Sequence, residues 1–287
     1  MENLNIAPEN NHHFIVKFWG VRGNIPTPGK KTVKYGGNTS CVEMRLGDKL
    51  LIFDGGTGLR TLGLDLLKKM PVEGHLFFSH THWDHIQGFP FFVPAFIPVN
   101  KFNVYGAIAP DGTTIKERLS DQMLHPNFPV PMQVMRSELN FHDLIPGERI
   151  FIDDIELETA PLNHPNIATG YRVTWQGKTA VYCSDTEHFE DRLDQNVLNL
   201  AREADLLIYD ATYTNSEYYD HKFPRVGWGH STWEKGIEIA EKAKVKKVVM
   251  YQHDPSHDDD FLDNMEDQVK SVFPNGLVAQ EGMAINI

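Results

Sequence analysis

The sequence predicts a mixed α/β protein folded as one domain, with α+β character in the way its strands cluster. Three observations lead there. Short apolar segments of strand length recur from Phe14 to the last third of the chain, bounded by Gly, Pro, Asn and Asp. Two longer segments, 59–70 and 231–243, carry apolar residues at helical spacing. Five of the strand segments end on residues that can bind a metal.

The elements follow in order. Residues 1–13 are polar and lack the basic-then-apolar order of a secretory signal, so they read as a tail. Residues 14–19 form a first strand stopped at Gly20, and a Gly- and Pro-containing loop runs to Gly37. Residues 41–46 and 50–53 flank Gly47-Asp48 and read as a hairpin. The helix over 59–70 stops at Pro71. Residues 91–147 are rich in Pro, Phe and Met and are the least regular part, a core-covering loop with a lid or oligomer contact as its alternative. Strands are expected at 155–161, 171–175, 179–184, 206–209 and 248–252. The helix over 231–243 carries a capping box, with Ser231 as N-cap and Glu234 three residues on.

Composition narrows the function classes. Hydrophobic residues make up 41% and charged residues 23% of the 287, which suits a globular protein with a substantial core. No apolar run approaches the roughly 20 residues that span a bilayer. Two cysteines, Cys41 and Cys183, give no disulfide framework and fit a reducing cytoplasm. The net charge of −12, from 39 acidic against 27 basic residues, weighs against a large nucleic-acid substrate. It leaves a small phosphate ester held by metals open.

The chemistry concentrates at 77–85, where His80, His82, Asp84 and His85 directly follow an apolar strand. Imidazole nitrogen and carboxylate oxygen suit zinc and similar divalent ions. A strand end can aim four such groups at one point, which a histidine-rich surface loop would have no reason to do. His164, Asp185, Asp210 and the pair Gln252-His253 also follow strands, as they would for a metal site on one rim of a sheet. His12, His13, His75, His142 and His221 read as surface residues, and His188 stays open. His125 and His257 lie in loops that could overhang the site. Tyr213, Tyr218, Tyr219 and Trp228 offer either base stacking or plain packing, and Asp258-Asp259-Asp260 reads as a solvated loop.

The motif His80-x-His82-x-Asp84-His85, followed by His164, Asp185 and His253, resembles the metallo-β-lactamase superfamily of binuclear metal hydrolases. Asp54-Gly55-Gly56-Thr57, Ser184-Asp185-Thr186, Asp210-Ala211-Thr212 and Gly229-His230-Ser231-Thr232 resemble its ribonuclease Z and phosphodiesterase branch. The stretches 20–26 and 35–40 are similar to small cyclic-nucleotide phosphodiesterases of that branch, the anti-Pycsar enzymes included. The resemblance implies a four-layer αββα sandwich and two divalent ions, zinc first, with manganese or iron as substitutes. It places His80, His82 and His164 on one ion, Asp84, His85 and His253 on the other, and Asp185 between them. Asp54 would support the metal-binding histidines by hydrogen bonding. A metal-bridging hydroxide would attack phosphorus, Asp84 would double as a base, and His230 held by Asp210 would protonate the leaving group. The family motif has Glu where this chain has Asp210.

The leading function is hydrolysis of a small phosphodiester, a 3′,5′-cyclic nucleotide first, by a homodimer. A ribonuclease Z-type tRNA 3′ endonuclease is the alternative, but the resemblance would then ask for a long RNA-gripping arm between His164 and Asp185, which are 21 positions apart (185 − 164). A thioester or lactone hydrolase and a non-catalytic metal sensor complete the set.

Overall fold

The computed structural model describes residues 13–287, so the expected tail lies outside the described residues except for His13. The chain opens with β1 (Phe14–Gly20), the hairpin β2 (Cys41–Leu46) and β3 (Lys49–Phe53), helix α1 (Gly58–Leu66), β4 (Glu73–Phe78) and the single turn α2 (Trp83–Ile86). Next come β5 (Lys101–Ala107), α3 (Ile115–Asp121), β6 (Glu138–Leu144), β7 (Arg149–Ile152), β8 (Ile155–Leu162), β9 (Ala168–Trp175) and β10 (Lys178–Cys183). The last part holds α4 (Gln195–Ala201), β11 (Leu206–Asp210), α5 (Asn215–Tyr218), α6 (Trp233–Ala243), β12 (Val248–Tyr251), α7 (Asp259–Val272), β13 (Gly276–Val278) and β14 (Ala284–Asn286).

Among the described residues the strands form two seven-stranded sheets, in the orders β14-β1-β2-β3-β4-β5-β6 and β13-β12-β11-β10-β9-β8-β7. Alternation along each strand builds the layers. Leu51, Phe53 and Phe77 join Tyr182, Ile208, Val249 and Tyr251 in a core between the sheets. Their neighbours Leu50, Ile52, Leu76 and Phe78 point outward onto α1 and α3. Val181, Leu207, Val248 and Met250 do the same against α4, α6 and α7. Both faces of the central strands are therefore apolar, which is why they read as continuous hydrophobic runs. The result is the expected α-β-β-α order, and each fully buried Phe, Leu or Val contributes about 1.5–3 kcal/mol.

Register sets the site. β3, β4 and β5 run parallel with Phe53 beside Phe77 and Phe77 beside Tyr105, and the three rings stack with centroids 5.4 and 4.5 Å apart. β10, β11 and β12 are also parallel, with Cys183 beside Tyr209 and Asp210 beside Tyr251. The carboxyl ends of both sets meet at one rim, where open α/β sheets bind ligands.

Three expectations need correction. Residues 91–147 are not a loop: β5, α3 and β6 lie there, and β6 is a polar edge strand with only Leu144 buried. The N-cap of α6 is Thr232, whose hydroxyl accepts from the Lys235 N–H at 3.3 Å. Ser231 instead accepts from the Tyr209 hydroxyl at 3.0 Å, and Glu234 accepts from the Asn215 N–H. Asp258 to Asp260 begin α7: Asp258 caps it, and Asp259 accepts from the N–H groups of Lys34 and Tyr35 at 2.9 and 3.1 Å.

Arg22 ties the rim loops together. Fully buried, it donates to the carbonyls of Gly36 (2.8 Å), His257 (2.6 Å) and Asp254 (3.3 Å). No other residue type reaches three carbonyls from one fork. Arg22→Met is expected to destabilise the fold by about 3 kcal/mol or more, because the Gly36 and His257 carbonyls lose their guanidinium donors, whereas Asp254 keeps the His257 N–H. Urea unfolding measures it, and a loss below about 1 kcal/mol would contradict this role.

Candidate active site

The histidine cluster leaves β4 at Phe78 and enters α2 at Trp83, so His80, His82, Asp84 and His85 sit on a loop and one helical turn. The loop is clamped from below: a Cβ on Gly56 would stand 2.2 Å from the Asp84 carbonyl, so only glycine allows the 54–58 and 84–88 segments to touch. His164 follows β8, Asp185 follows β10 and Asp210 ends β11.

Hydrogen bonds on one ring nitrogen aim the other inward. Asp54, buried and with φ +61°, accepts from Ser79 N (2.7 Å), Ser79 Oγ (2.8 Å), Tyr182 OH (2.7 Å) and His85 Nδ1 (2.8 Å). Since Ser79 gives its proton to Asp54, its oxygen accepts from His80 Nδ1 at 3.0 Å. His164 Nδ1 donates to the Gly229 carbonyl at 2.6 Å. The Nε2 atoms of His80, His85 and His164 are thereby left as lone-pair donors. His80 Nε2 is buried with no hydrogen-bond partner among the described residues. That is the state of an atom shaped to bind a cation.

Two overlapping donor sets result. One ligand atom each from His80, His82, His164 and Asp185 lie within 4.8 Å of one another, as do atoms of Asp84, His85 and Asp185. Asp185 spans both: Oδ2 is 3.6 Å from the Nε2 atoms of His80 and His164, and Oδ1 is 3.2 Å from His85 Nε2. Burial and the neighbouring His85 push the His80 imidazole well below its usual range, keeping it neutral. At His85 burial acts the same way, but Asp185, Asp84 and Asp54 outweigh it and raise its pKa well above the usual range, so that a proton competes with a cation for the Nε2 lone pair. The sets thus fit divalent ions both in donor type and in charge.

Asp210 and His230 form the third group with Asp185. Asp210 is fully buried and accepts from Thr186 N, Thr212 N and Thr212 Oγ1 at 3.0, 3.0 and 2.7 Å. His230 Nδ1 donates to it at 2.9 Å, so the shorter aspartate reaches. Burial lowers the His230 pKa, but Asp210 and then Asp185 and Asp84 overcome it and raise the value to about 9.

The structure does not bring His253 to this cluster. Its Nε2 donates to the Ala279 carbonyl at 2.8 Å, and among the described residues the charges it feels are Arg22 and His257. Gln252 stands at the centre instead. Sequence reasoning missed it by running the last strand one residue too far; β12 stops at Tyr251. Arg118 was missed as well: from α3 it reaches Thr81 Oγ1 at 3.2 Å and helps line a cleft of about 480 Å³ with His80 and His82. His12 lies outside the described residues, and the remaining histidines are structural or remote. His257 faces Glu217 at 2.7 Å, His188 faces Ser231 at 3.0 Å, and His125 is exposed. Tyr213 and Tyr218 are buried packing, whereas Tyr219 and Trp228 are 45% and 56% exposed.

Asp54→Asn should keep the fold but lower metal affinity about 10–100-fold, since it loosens His85 and, through Ser79, His80. Metal content after equilibrium dialysis reads this; unchanged occupancy would refute the supporting role of Asp54.

The comparisons agree with this geometry. The sequence profile of the beta-lactamase superfamily domain matches residues 51–253. A ribonuclease Z of Picrophilus torridus is 24% identical over 318 aligned positions, covering 96% of both chains. The metallo-beta-lactamase fold protein YhfI from Bacillus subtilis superposes with a TM-score of 0.71 at 19% identity, covering 96% of this chain and 100% of that one. A diphosphatase from the PhnP family gives 0.69 at 17% identity, covering 96% and 98%. With its donor sets at the common rim of two sheets, the chain belongs to the beta-lactamase superfamily and is a metal-dependent hydrolase of the metallo-β-lactamase fold.

Proposed function

We propose that this hydrolase cleaves small phosphodiesters, with 3′,5′-cyclic nucleotides as its leading substrate class. The observation that carries the reading is the Asp210–His230 pair held beside the donor sets, with His230 Nδ1 4.0 Å from Asp185 Oδ2. A centre with a positioned proton donor suits an alkoxide leaving group, which a thioester or lactone hydrolase has less need to protonate.

His80, His82, His164 and Asp185 would hold one ion and Asp84, His85 and Asp185 the other, zinc being the first choice and manganese or iron the substitutes. Such ions acidify a bound water and offset charge on phosphoryl oxygens. Asp84 is oriented by the Asn24 N–H at 2.8 Å and would take the proton of the attacking water. His230, steadied by Asp210, would deliver a proton to the departing oxygen. The cleft lined by His80, His82 and Arg118 has the volume of a small-molecule site, and the guanidinium gives it an affinity for a phosphate.

The second reading, cleavage of RNA, is favoured by the relatives named ribonuclease Z. Against it, the chain between His164 and Asp185 is taken up by the hairpin of β9 and β10, leaving no room for a long arm. The homodimer expected from the resemblance has the exposed Trp83 and Phe91 as contact candidates, and sedimentation of the same preparation tests it.

Turnover of bis(p-nitrophenyl) phosphate, several 3′,5′-cyclic nucleotides, a precursor tRNA and a thioester, each with and without chelator, decides between these. The proposal expects chelator-sensitive opening of cyclic nucleotides. It also expects His230→Ala to keep its metal but lose about 10²–10⁴-fold in kcat on them, and much less on the nitrophenyl ester, whose leaving group needs no proton. Cleavage of tRNA alone, or equal losses on both esters, would overturn it.

A further inference from the structure

Gln252 occupies the place in the second donor set that the family resemblance assigns to His253. It follows β12 with φ +65°, the left-handed region also taken by Asp54 (+61°) and Asp185 (+53°) after β3 and β10. That region is costly for residues other than glycine and concentrates at functional sites. All three side chains meet at one imidazole. Asp54 Oδ2 is 2.8 Å from His85 Nδ1, while Asp185 Oδ1 and Gln252 Nε2 are 3.2 and 3.1 Å from His85 Nε2. The Gln252 amide is fully buried. Its Nε2 donates to Asp84 Oδ2 at 3.0 Å, and its Oε1 accepts from Ser40 Oγ at 2.5 Å and Ser184 Oγ at 3.4 Å. His253 turns away, donating to Ala279 with its ring edge-on to Tyr35.

We propose that Gln252, through its amide oxygen, is the protein ligand that closes the Asp84–His85–Asp185 set. Rotating the amide by half a turn exchanges its two ends. Oε1 then faces Asp84 and His85, and Nε2 faces the hydroxyls of Ser40 and Ser184, both able to accept. The two halves of the centre are consequently unequal. Three imidazoles and a carboxylate suit zinc, whereas one imidazole, two carboxylates and a neutral amide oxygen make a weaker, harder set suited to manganese or magnesium. The first half retains its ion and the second exchanges it. This rests on the two-ion reading above and is independent of which ester is cleaved.

Metal occupancy of the full chain, measured by equilibrium dialysis and elemental analysis, tests it without reading turnover. Wild-type protein should bind a second zinc at least about tenfold more weakly than the first, and Gln252→His should narrow that gap by about tenfold or more. Gln252→Ala should lose the second ion and His253→Ala should keep it. Loss in His253→Ala with retention in Gln252→Ala overturns the proposal. If either variant fails to fold, wild-type crystals soaked in manganese chloride decide by anomalous scattering. An ion beside Gln252 Oε1 supports the proposal, and one on His253 Nδ1, or on neither, overturns it.

Discussion

Three buried carboxylates surround the imidazole of His85, and compensating that concentration of charge is the constraint on which the rest of the rim depends. Asp54, Asp84 and Asp185 lie 2.8, 3.2 and 3.2 Å from its ring nitrogens, and neither His85 nor the carboxylates are open to solvent. Unpaired, such groups would be very costly to bury. Asp54 takes four donors around its carboxylate, Asp84 takes the N–H groups of Asn24 and Gln252, and Asp185 takes the Ser184 hydroxyl, and the charge left on the last two is what fits the site for cations.

The core between the sheets supplies much of that support. Tyr182, Tyr171 and Tyr251 keep their rings among buried apolar neighbours and send their hydroxyls to Asp54, the Phe78 carbonyl and the Gly20 carbonyl, at 2.7, 2.7 and 2.8 Å. Packing of the two sheets thus fixes the polar rim, since a tyrosine cannot shift without leaving one contact or the other. Arg22 and Gly229 do the same from the loops. Gly229, at φ +87°, brings its carbonyl to His164, and a Cβ there would stand 2.5 Å from His164 Nδ1. The strain of three left-handed strand ends is carried by this over-determined frame. The proposed function follows from this layout: the donor sets meet at Asp185, and His230, held by Asp210, stands beside them with its Nδ1 4.0 Å from Asp185 Oδ2.

Much of this was legible in the residues. His-x-His-x-Asp-His behind an apolar run leaves little choice but a strand-end cluster; His164, Asp185 and Asp210 come to the rim that their positions after strands implied, and Asp54 and His230 lie beside them as the family resemblance implied. Four features were less visible, each for a local reason. β6 is a polar edge strand, so hydrophobic alternation does not mark it, although Thr114 and Glu117 form a capping box that announces α3. Asp258 to Asp260 look like a solvated charge run until Asp258 is seen to cap α7. Ser231 and Thr232 are equivalent caps on paper, and the Tyr209 hydroxyl chooses between them. Gln252 and His253 differ by one position at a strand end, where a single left-handed residue reverses which side chain points inward. The family resemblance pointed to the histidine, but backbone conformation turns the glutamine toward Asp84 and the histidine toward Ala279.

The central claim is that bound divalent cations balance the buried carboxylates of the rim. Thermal unfolding with and without added metal tests it most directly, because a ligand at about 100 times its Kd adds about 2.7 kcal/mol to the folded state. For a chain of this size the account predicts that zinc or manganese raises Tm by at least about 5 °C over chelator-treated protein. It also predicts that Asp185→Asn, which spans both donor sets, abolishes most of that rise. Equal melting temperatures with chelator, zinc and manganese would mean that the scaffold alone satisfies the charge, and would contradict the account.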